Sequence, residues 1–114
     1  MIGVIRAQNY RGREIAAAFS DEAPPRTLWR VAIENGELHV STLEDEFAYD
    51  VEIVTSPQRF LLDDDEIVFV YAIEGAASVD DTSCPAGDTI WLQEADGTSI
   101  RSEGRAAVVR ITPI

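Results

Sequence analysis

Ile67 to Ile73 reads Ile-Val-Phe-Val-Tyr-Ala-Ile, apolar at every position. A strand patterned this way must be covered on both faces, so the run predicts a central, doubly buried strand. Other segments alternate instead. From Leu28 to Glu34, Trp29, Val31 and Ile33 share one face, and Arg30 and Ala32 the other. From Glu37 to Leu43, Leu38 and Val40 oppose Glu37, His39 and Ser41. Asn35-Gly36 lies between these two segments and is a strong hairpin signal, because both residues tolerate the positive φ of a type I′ turn. From Phe47 to Val54, Phe47, Tyr49, Val51 and Ile53 oppose Asp50 and Glu52.

Further short strands are expected at Val4-Ile5, Arg59–Leu62, Ala77–Val79, Thr89–Gln93, Ser99–Arg101 and Ala106–Thr112. Glu14 to Phe19 fits either one helical turn or an irregular edge strand. Turns fall at Asp21–Pro25, Ser56-Pro57, Asp63–Asp65, Pro85–Asp88, Ala95–Gly97 and Glu103-Gly104. About nine or ten short strands at roughly ten-residue spacing imply an all-β chain, folded as one antiparallel sandwich or barrel. Residues 1–114 fit one domain, large enough to bury about two-thirds of the surface its unfolded chain exposes.

Charge narrows the function. Nine Arg and no Lys stand against 21 Asp and Glu, a formal net charge of −12. Such a surface repels phosphate backbones, so nucleic acid is not an expected partner. No apolar run reaches the roughly 18 residues of a membrane span. The first ten residues lack a signal-peptide pattern, so the expected location is cytoplasmic, with Cys84 reduced. One histidine and one cysteine cannot build a multi-His centre or a Cys-rich zinc site, and no metal or cofactor is expected. Asp63-Asp64-Asp65-Glu66 lacks the glycine and ligand spacing of an EF-hand loop, and this and the other acidic clusters read mainly as solvated turns.

The second half has a distinctive cadence. The apolar run ends in Glu74-Gly75, and Pro85-Ala86-Gly87-Asp88-Thr89-Ile90-Trp91-Leu92 follows after a spacer. This resembles the second conserved motif of the cupin superfamily, in which Gly is followed after a spacer by Pro-x-Gly-x-x-His. The resemblance implies a cupin-like β-barrel or jelly roll. Ile90 stands where a metal-binding cupin has its histidine, and Glu66–Gly75 lacks the histidines of the first motif. The resemblance therefore extends to the scaffold and not to the metal site.

In the first half, Arg13-Glu14-Ile15-Ala16 precedes Trp29-Arg30-Val31-Ala32-Ile33. This order resembles the HutD/Ves family of cupin-like proteins, although the family's Trp-Lys-Asn-Gly-Gly-Gly run is missing and this chain is shorter. The resemblance implies a non-catalytic small-ligand or regulatory protein, tied in that family to histidine utilisation and stress.

The candidate ligand-binding residues are Arg13, Glu14, Arg30, His39, Tyr49 and Tyr71. Guanidinium groups bind carboxylates through paired hydrogen bonds, so Arg13 and Arg30 point to a small anionic ligand. Salt bridges to Glu14 and Glu34 are the competing use of these arginines, and a polar strand face meeting water is the competing place for His39. Trp29, Tyr49, Tyr71 and Trp91 either line a barrel mouth or fill the core. The leading expectation is a non-enzymatic binding protein with no catalytic residues. One alternative is a metal-independent epimerase-type enzyme using His39 with Tyr49 or Tyr71 as base and acid. Another is an interaction module that forms a homodimer through its sheets.

Overall fold

The computed structural model describes residues 2–10, 29–34, 37–42, 47–60, 66–93 and 98–113. Within them the chain is all-β apart from one helical turn. The strands are β1 (Ile2–Ile5), β2 (Trp29–Glu34), β3 (Glu37–Thr42), β4 (Phe47–Val54), β5 (Gln58–Phe60), β6 (Ile67–Glu74), β7 (Ala77–Val79), β8 (Thr82–Cys84), β9 (Thr89–Gln93), β10 (Thr98–Ser102) and β11 (Arg105–Pro113). The helical turn, α1, spans Ala7–Tyr10. Every described strand pairing is antiparallel.

A five-stranded sheet in the order β1-β9-β6-β11-β4 forms the middle layer. The doubly apolar run is β6, near the centre of that sheet, as its pattern requires. One set of alternate side chains, including Val68, Val70, Ile90, Leu92 and Val108, packs with Val79, Cys84 and Ile100. These last three come from the four-stranded sheet β5-β10-β7-β8. The other set, including Ile67, Phe69, Val109 and Ile111, packs with Val31, Leu38 and Val40 of the β2-β3 hairpin. Two separate apolar cores therefore sandwich the middle sheet.

Several local signals explain the turns. β2 and β3 pair with Glu34 opposite Glu37, the register a two-residue connection demands, while Asn35 and Gly36 themselves lie outside the described residues. Gly75 (φ 68°) and Gly87 (φ 93°) occupy backbone conformations that favour glycine. Gly75 ends β6, and Gly87 shapes the turn before β9, where its N–H donates to the Ala72 carbonyl at 2.8 Å. Asp88 fixes α1 from a distance. Its carboxylate accepts from the Ala7 N–H at 2.8 Å and from Arg6 Nη1 at 2.9 Å.

The structure corrects three expectations. The described residues contain eleven strands rather than nine or ten, because Asp80-Asp81 turns the chain into β8, a strand too short to show alternation. Tyr49 is not a core aromatic. It is 50% exposed, and its face-mates Val51 and Ile53 are 41% and 51% exposed; among the described residues their strand ends the five-stranded sheet, and only Phe47 of this face packs with the hairpin's core. Glu66 is not a solvated turn residue but is 1% exposed. The segments 14–19, 21–25, 63–65 and 95–97 lie outside the described residues.

Candidate functional site

Along one face of β4, β6 and β11, Val54, Val68 and Val108 are buried in the first core. Farther along the same face the apolar residues give way to Asp50, Glu66 and Arg110. Strand register places Arg110 between Asp50 of β4 and Val68 of β6, and Thr112 beside Ala48. The result is a groove of about 240 Å³ lined by Ala48, Tyr49, Asp50, Glu66, Arg110 and Thr112. Its volume is below the roughly 300–1,000 Å³ of sites for drug-sized molecules, which suits a small metabolite. Tyr49 borders the groove through its place in β4, since its side chain alternates to the opposite face.

The floor of the groove is an ion pair. Arg110 donates from Nη2 to Glu66 Oε2 at 3.1 Å and from Nε to Glu66 Oε1. The pair is asymmetric: the Glu66 side chain is 1% exposed and that of Arg110 is 31% exposed. A buried carboxylate is costly unless paired, and the planar guanidinium meets it through two donors. Arg110 thus compensates Glu66 while its partly exposed side chain lines the groove. Asp50, exposed and directly across from Arg110, adds a second carboxylate at the rim.

Among the described residues, His39, Tyr49 and Tyr71 are not brought together in one site. Arg13 and Glu14 lie outside the described residues. Arg30 is in β2, opposite Ser41, and its side chain lies outside the description. His39 alternates with Leu38 and Val40, which pack toward the middle sheet, so it faces outward. Its side chain is 44% exposed, with Nε2 3.7 Å from Glu37 Oε2. Tyr71 is half-buried in β6. Of the three whose side chains are described, His39, Tyr49 and Tyr71, Tyr49 borders the groove, and the structure does not assemble His39 with a tyrosine there.

Sequence reasoning missed Asp50, Glu66, Arg110 and Thr112. Two signals were present. Arg110 interrupts an apolar closing strand at a position that shares its face with Val108, and Glu66 opens the doubly apolar run. A charge at an inward position needs a counter-charge, and Glu66 and Arg110 pair with each other.

Cys84 is buried. Burial, with Asp88 nearby, pushes its thiol from 9.0 up to about 11. It is therefore protonated at neutral pH and a poor nucleophile. Among the described residues no three His, Cys, Asp or Glu come together as a metal-binding group, and no helix is long and apolar enough to cross a membrane. Comparison with known protein families, with curated proteins and with solved structures finds no match.

Proposed function

We propose that the protein is a non-catalytic, cupin-like binding protein of the HutD/Ves type that takes a small carboxylate-bearing metabolite in the groove over Arg110. The carrying observation is a partly exposed arginine side chain, paired with a buried carboxylate, in the lining of a groove of about 240 Å³. The turn glycines Gly75 and Gly87, in the positions expected from the cupin cadence, support a cupin-like barrel or jelly roll. The charge balance refines the ligand. Asp50 would repel a simple dicarboxylate, whereas an amino group beside the ligand's carboxylate would be met by Asp50.

A thermal-shift screen tests this reading, because a ligand that binds only the native state raises Tm by mass action. The screen takes amino acids, histidine-pathway intermediates, simple dicarboxylates and divalent metals. Amino-carboxylates should raise Tm, and Arg110→Lys should remove the shift. A flat response, or a response to metals alone, overturns the reading.

A second reading, an interaction module, is favoured by one observation. Tyr49, Val51 and Ile53 form an exposed apolar stripe on an edge strand.

A further inference from the structure

We infer that the outer edge of β4 binds an extended segment of a partner in which basic and apolar residues alternate. This inference rests on the interaction-module reading and specifies the partner's chemistry.

β4 lies at the end of the five-stranded sheet and pairs with β11 on its inner side. Among the described residues nothing pairs with its outer side. It is eight residues long and contains neither proline nor glycine, so its backbone offers a regular ladder to an incoming strand. Its two faces differ sharply: Tyr49, Val51 and Ile53 are exposed on one, and Asp50 and Glu52 are exposed on the other. A strand added in register would place alternate residues beside the apolar stripe and the intervening ones beside the two carboxylates. Opposite charges directly across a pair stabilise it, and like charges destabilise it.

That pattern disfavours a second copy of this chain. In a two-fold antiparallel pairing centred on Val51, Asp50 of one copy falls opposite Glu52 of the other. Centring the pair on Asp50 or Glu52 sets that acid against itself. Each copy also carries a net charge of −12. The carboxylates that guard the edge against self-pairing are the ones that select a cationic strand.

The probe is a capped eight-residue peptide of alternating lysine and valine, with oligolysine and an alternating glutamate–valine peptide as controls. Backbone amide exchange in the full chain reads the location, and titration calorimetry reads the affinity. The lysine–valine peptide should slow exchange along Phe47–Val54, and the controls should not. Glu52→Lys should weaken it roughly tenfold, the scale of reversing one charge in a close pair. Ile53→Thr, at an exposed position, should weaken it from the apolar side. Equal binding of oligolysine, or protection elsewhere than β4, overturns the inference. Concentration-dependent protection of β4 in the protein alone would show a homodimer through this edge, overturning the inference while keeping the interaction module. No protection of β4 under any of these conditions overturns both.

Discussion

The Arg110 guanidinium holds the Glu66 carboxylate from β11 to the start of β6, with Glu66 1% and Arg110 31% exposed in their side chains. Removing the arginine leaves a buried carboxylate with its main counter-charge gone, whereas removing both partners leaves only the volume to fill. Arg110→Met should therefore cost about 3 kcal/mol, at the low end for a broken buried pair because Arg110 retains some contact with water. The double change Arg110→Met with Glu66→Leu should recover most of that loss. Urea unfolding of the single and double variants measures the coupling. Additive losses would show that the two side chains act independently.

At Gly75 and Gly87 the same substitution should have unequal effects. Both glycines have positive φ. A Cβ at Gly75 would also lie 3.1 Å from the Gly104 backbone nitrogen, while at Gly87 the nearest contact is Ala7 at 3.8 Å. Gly87→Ala should cost about 1 kcal/mol from backbone strain alone, and Gly75→Ala about 2 kcal/mol or more. Thermal or urea unfolding of the two variants gives the order directly, and a Gly87→Ala variant less stable than Gly75→Ala would contradict it.

The exposed pair of Glu74 and Arg105, 2.7 Å apart, sets a pH dependence. The hydrogen bond and charge of Arg105 hold the Glu74 carboxyl below its ordinary 4.5. A depressed folded-state pKa means that the stabilisation is present above the ordinary value and lost as pH falls through the folded one. The carboxyl-carbon NMR titration of Glu74 should therefore have its midpoint below 4.5, and Arg105→Gln should return it toward that value. Added salt should narrow the difference, because the pair is solvated. A midpoint unchanged by Arg105→Gln would rule out the pair as the cause.

Most strands were legible because burial imposes a period of two on their side chains. β4, β7 and β9 span the residues their patterns predict, and the apolar run of β6 reaches one residue farther, to Glu74. Legibility failed where pattern and burial part company. The stripe of Tyr49, Val51 and Ile53 has a buried strand's alternation yet faces solvent, since alternation does not reveal which strand ends a sheet. The groove was hidden for a related reason. Asp50, Glu66 and Arg110 are far apart in the chain and meet only through the registers of β4 and β6 on β11. The arginine argument was attached to Arg13 and Arg30, residues chosen by local sequence rather than by strand pairing.

The order β1-β9-β6-β11-β4 sets the timing of folding. β11 is the last described strand in chain order, yet it sits between β6 and β4 and joins them. Until it has been synthesised and has left the ribosome, β4 has no neighbour in this sheet and β6 has only β9. The edge of β6 that pairs with β11 must wait for a segment made roughly 40 residues later. Sheet closure therefore waits on the long-range pairing of β11 and is slow for a chain of this size, since the entropy of closing long loops is paid before those distant contacts reward it.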